Sequence, residues 1–177
     1  MKTAQIAAAA VLTCSALSAN NQPANEDLLA RARDPQRMVQ FTKERVLIIG
    51  SLATDCGLPD PNHAELLGGQ QAAIQVYVNP ESFASFMNDD TKFPVGTMIL
   101  KEKFPNMDAK VPELYTGMLK REQGYNPKAG DWEFFVLTGD RNAVTARGRI
   151  DSCMDCHQQY AKSDFVTKQY RSAQLKR

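Results

Sequence analysis

Cys153-Met154-Asp155-Cys156-His157 holds the most chemistry of any stretch in this 177-residue chain. Two thiols separated by two residues and followed at once by an imidazole form the C-x-x-C-H run that attaches a c-type haem. One turn of backbone presents both sulfurs to one porphyrin edge, where they can add across two vinyl groups. The next residue then turns under the metal. Cys153 and Cys156 are thus the predicted points of covalent attachment, His157 the predicted metal ligand, and haem c with its iron the predicted cofactor. The alternatives are a redox dithiol or half of a zinc site. A structural zinc needs about four ligands, and only Cys14, Cys56 and His63 remain, all distant in sequence.

The other side of the iron decides what such a group does. An electron carrier fills it with Met or His; an open position binds ligands or does chemistry. His63, the second histidine, follows Pro59-Asp60-Pro61-Asn62, a loop pattern of the kind that is normally exposed. Met154 lies too close to the attachment cysteines to reach the far side. Met87, Met98 and Met118 fall on predicted helix or strands, where methionine more often fills the core. No residue announces itself as a sixth ligand. An open iron is therefore favoured, with a low-spin electron-transfer cytochrome as the alternative.

The elements that must position these groups can be read along the chain. Lys2, the apolar run Ile6 to Leu12 and the small-residue pattern Ala16-Leu17-Ser18 read as an export signal over residues 1–19. This run is too short for a transmembrane helix. Val11-Leu12-Thr13-Cys14 offers a lipoprotein alternative, which Thr13 fits poorly. Export predicts a periplasmic location, and Cys14 would leave with the signal. Cys56 would then stand alone, packed as a small hydrophobe or paired between chains. The formal net charge of +1 gives no push toward nucleic acid.

Residues 20–70 read as a helical segment and loop: a helix capped by Asn25, a second helical stretch from Gln36 to Leu52, then a loop over Cys56 to His63. Residues 71–177 read as the main body. Ala73 to Val78 is β-rich, and Asn79-Pro80 starts a short helix with Phe83, Phe86 and Met87 on one side. Strands follow at Thr97 to Phe104, Leu114 to Lys120 and Asp131 to Thr138, the last buried on both faces. A polar stretch then leads to the haem motif, which should open a short C-terminal helix. The expected fold class is α+β: mainly antiparallel β-sheet, short flanking helices and a C-terminal haem-bearing helix, with residues 20–70 and 71–177 in one globular unit.

Several segments together resemble the cytochrome P-460 family, which is related to the β-sheet cytochromes c′. They are Val76-Tyr77-Val78-Asn79, Phe93-Pro94-Val95-Gly96-Thr97-Met98-Ile99-Leu100-Lys101-Glu102, Met118-Leu119-Lys120-Arg121, Gly130-Asp131-Trp132-Glu133-Phe134, the C-x-x-C-H run, and Asp164-Phe165-Val166. The resemblance covers roughly Gln71 to Val166. It implies a small, usually dimeric, antiparallel β fold with a five-coordinate c-haem. In cytochrome P-460 proper a lysine is also bonded to the porphyrin rim and hydroxylamine is oxidised, which would make this chain a haem oxidoreductase with a soluble redox partner. In the c′ relatives that bond is absent and the haem binds small gases, especially nitric oxide.

The resemblance makes Lys101 the candidate for the bond to haem, with Lys103 as the alternative. Alternation along the strand puts Ile99, Lys101 and Lys103 on one face and Met98, Leu100, Glu102 and Phe104 on the other. The plainer reading is an edge strand protected by lysine. Glu102 could accept protons if it faced the cavity, but a regular strand would not turn both residues the same way. Phe93, Phe134 and Phe135 are candidates for the wall over the iron, against plain core packing. Arg147 and Arg149 are candidates for pairing with the haem propionates, against solvated surface arginine.

Overall fold

The computed structural model describes residues 22–34, 37–49, 71–88 and 92–171. The export signal, Cys14, Cys56 and the loop with His63 lie outside these residues. The described elements form an α+β fold built on one seven-stranded sheet. In chain order they are α1 (Gln22–Arg33), β1 (Val39–Gln40), β2 (Val46–Ile49), β3 (Gln71–Val78), α2 (Phe83–Met87), β4 (Met98–Phe104), β5 (Leu114–Lys120), β6 (Trp132–Thr138), β7 (Val144–Gly148) and α3 (Asp151–Gln158).

Strands β3 to β7 run as an antiparallel meander in sequence order, while β1 and β2 share the outer edge of β3. Register therefore fixes which side chains share a face. The row Val76–Lys101–Thr116–Val136 points to one side, and the next row, Tyr77–Leu100–Gly117–Phe135, points to the other. Both faces are covered, which explains why β6 is buried from Trp132 to Leu137. The inner face carries Phe41, Phe86, Phe93, Trp132 and Phe134. The outer face carries Leu28, Leu29 and Ala32 of α1 against Leu100, Leu119, Phe135 and Leu137. Burying each large side chain of this kind stabilises the fold by about 1.5–3 kcal/mol.

The structure corrects three readings of the sequence. The stretch expected to be helical from Gln36 carries β1 and β2 instead. Val46-Leu47-Ile48-Ile49 is rich in β-branched residues, and it pairs with Gln71 to Ile74 of β3. The polar stretch before α3 contains β7, whose Arg147 lies opposite Phe135 and bonds Glu133. Helix α1 begins at Gln22, before the expected cap, so Asn25 lies inside it.

Among the described residues no helix is long and apolar enough to cross a membrane.

Candidate functional site

Cys153, Cys156 and His157 lie at i, i+3 and i+4 on α3, a spacing that groups side chains on one face of a helix. All three line one cleft between α3 and the inner face of the sheet. Its sheet wall is mainly apolar, with Ile99, Met118, Phe134 and Val136, and it also holds Lys101 and Thr116. Val166, Thr167, Gln169 and Tyr170 of the segment after α3 close another side.

The imidazole of His157 is already oriented. Its Nδ1 lies 2.7 Å from the Phe165 carbonyl oxygen. A carbonyl can only accept, so Nδ1 carries the proton and donates, leaving the lone pair on Nε2. That is the arrangement by which a backbone carbonyl fixes the tautomer of a metal-binding histidine. Burial lowers the pKa of His157; the Phe165 carbonyl opposes this, and the charge of Lys101 adds to the lowering. The neutral, ligating form is thereby favoured. The ring is flanked by Phe134, at 5.3 Å between centroids, and Tyr160, at 6.2 Å.

The Phe165 carbonyl owes its place to an unusual turn. Asp164 and Phe165 both adopt left-handed backbone, with φ of 54° and 63°, which costs non-glycine residues about 1–2 kcal/mol apiece. The turn is pinned from the sheet. Lys120 Nζ lies 2.7 Å from both carboxylate oxygens of Asp164 and donates also to the Gly130 carbonyl. The Phe93 N–H donates to the same carboxylate, and the Trp132 indole N–H donates to the Asp164 carbonyl. Hydrogen bonds to charged groups contribute about 1.5–3 kcal/mol each, enough to offset the backbone cost.

The remaining predicted residues fall into distinct places. Lys101 is half-buried and lines the cleft. Strand β4 pairs on both edges, so Lys101 protects no edge. Lys103 points to the same side but lies outside the cleft lining, 3.6 Å from the Glu113 carboxylate. Glu102 is on the opposite face, where Tyr115 and Tyr77 donate to it at 2.5 and 3.0 Å. The register of β4 runs unbroken, so nothing turns Glu102 toward the cavity and its proposed proton-accepting role is corrected. Burial first, and then the Glu102 carboxylate, push both phenols' pKa values up.

Phe134 lines the cleft beside the imidazole. Phe93 does not; it packs edge-on against Phe86 and Trp132 in the core. The Phe135 ring folds over Gly117 toward the outer cluster, since a Cβ on Gly117 would lie 2.0 Å from it, and at that point both residues also border the cleft. Arg147 is held by Glu133 and by Ala24 and Asn25 of α1. Arg149 lies over the Tyr125 ring, outside the cleft lining. Neither arginine lines the cleft. Of the methionines weighed as sixth ligands, Met118 reaches the cleft.

Sequence reasoning passed over Lys120 and Asp164 as a pair, because a contact spanning 44 residues has no local signal. The resemblance had included both in its blocks, but without a role for either.

The donor set fits a c-haem: two thiols and an oriented imidazole on one helix face, opening on an apolar cleft. A family model described as Cytochrome P460 matches residues 60–168. No curated protein matches the chain.

Proposed function

The chain belongs to the cytochrome P460 family, and from that premise we propose that it is an exported, periplasmic c-type haem protein whose iron keeps one side open for nitric oxide and hydroxylamine. When bound, haem supplies a redox-active iron that takes small nitrogenous ligands. Cys153 and Cys156 would hold it through two thioether bonds, and His157 would offer Nε2 to the metal. One observation carries the reading: both thiols, the imidazole with Nδ1 engaged, and Lys101 line the same cleft. Ile99, Phe134 and Val136 exclude water there and favour uncharged ligands. Lys101 would present its amine to the porphyrin rim, in which case the protein oxidises hydroxylamine and passes electrons to a soluble partner. Without that bond it binds nitric oxide. A homodimer completes the reading.

A second reading, an electron-transfer cytochrome, is favoured by the place of Met118 in the cleft wall. The absorption spectrum of the purified ferrous protein separates the two. The expected result is a high-spin spectrum that changes when nitric oxide is added, with a broad, red-shifted Soret band if Lys101 is joined to haem. Sharp low-spin bands that disappear in Met118→Leu would sink the open-iron reading.

A further inference from the structure

We infer that Asp164 is the positioning residue of the proximal imidazole, acting through the Phe165 carbonyl; the inference rests on the haem reading and extends it to the control of the iron. Three contacts connect the sheet to the histidine. Lys120 and Trp132 are paired across β5 and β6. Lys120 grips the Asp164 carboxylate, which is buried at 6% exposure, and Trp132 grips the Asp164 carbonyl. Asp164 holds the left-handed turn, and the turn sets the Phe165 carbonyl against His157 Nδ1. The Phe165 ring is seated against Gly130, whose carbonyl also accepts from Lys120. It lies where a side chain on Gly130 would be, 2.6 Å from the position of a Cβ there. Backbone bonds from Phe165 to Tyr160 and from Val166 to Ser163 close the turn.

The arrangement has a chemical consequence. A firm hydrogen bond from Nδ1 gives the imidazole partial imidazolate character and raises its basicity as a ligand. A more basic ligand favours the ferric state. The ion pair at the end of the sheet therefore sets the strength of the iron–histidine bond without touching either atom.

The experiment compares holoproteins by two readouts: the midpoint reduction potential, and the iron–histidine stretching band in resonance Raman spectra of the ferrous form. Asp164→Asn keeps the shape and removes the charge that Lys120 grips. Gly130→Ala changes no charge but presses on both the Phe165 ring and the Asp164 carboxylate, 2.6 and 3.1 Å from the new Cβ, at a backbone φ of 61°. Glu133→Gln breaks a different buried ion-pair group, with Arg121 and Arg147, and serves as the control for simple loss of stability. The expected result is a higher potential and a lower-frequency band in Asp164→Asn and Gly130→Ala, with neither moved in Glu133→Gln. If both site variants lower the melting temperature but leave potential and band at wild-type values, Asp164 is structural only and the inference is overturned. If Asp164→Asn does not fold, Gly130→Ala decides by the same readouts. A wild-type protein that holds no covalent haem overturns the haem reading itself, an outcome distinct from an unmoved potential.

Discussion

At the scale of single residues, Lys101 and Lys103 give the sharpest division. Both point to the inner face, but Lys101 lines the cleft while Lys103 lies beside Glu113. Proteolysis of the holoprotein is expected to leave the Cys153–His157 peptide joined through haem to the peptide with Lys101. Mass spectrometry checks this, and Lys101→Leu should remove the joint mass and hydroxylamine oxidation while haem and nitric oxide binding remain. Transfer of the effect to Lys103→Leu would mean that the cleft is misassigned by one row. Replacing both Cys153 and Cys156 with Ser should release all haem into acid acetone; retention by that variant would contradict thioether attachment.

Among elements, β6 and β7 are joined to α1 by one carboxylate. Glu133 is buried at 5% exposure and accepts from Arg121 and Arg147, and Arg147 reaches on to Ala24 and Asn25. Burial pushes the pKa of Glu133 up, but the two arginines outweigh burial and hold it below the usual range. A depressed carboxylate stabilises the fold above its unfolded pKa, near 4.3, and that contribution disappears as pH falls through the folded value. Glu133→Gln should cost about 3 kcal/mol at neutral pH, since it leaves two arginines without their shared partner. In denaturant titrations the gap to wild type should close as pH drops below about 4; a gap unchanged at low pH would mean that packing, not charge, is lost. The same elements show what a sequence reveals. The alternation of Trp132 to Leu137 disclosed β6, and the spacing of Cys153, Cys156 and His157 disclosed the helix face. Val46 to Ile49 misled, because a short apolar run has no period to separate strand from helix. Strand β7 stayed hidden because Arg147 reads as surface until its partner Glu133 is placed beside it.

For the molecule as a whole, the segment after α3 closes the cleft by fastening to α2. Lys168 Nζ donates to the carbonyls of Ser85, Phe86 and Asn88, and Arg171 donates to that of Met87. These are carbonyls at the end of a helix, where cationic donors are favoured. Lys168→Ala should weaken closure by about 2 kcal/mol, or roughly 30-fold in the fraction open. Stopped-flow binding of nitric oxide to the ferrous protein should then show faster association. An unchanged rate would place the ligand's path elsewhere.

Gly117 gives the sheet one more property. With no side chain there, the Phe135 ring fills the place a Cβ would take, and both residues also border the cleft. At that point the barrier between the two halves of the interior is a single peptide thick. Residues of the outer cluster that includes Phe135, such as Leu100 and Tyr115, can therefore press on the cleft from behind. A library meant to alter ligand preference that randomised only inward-facing positions would leave this rear entrance to the chemistry unexplored.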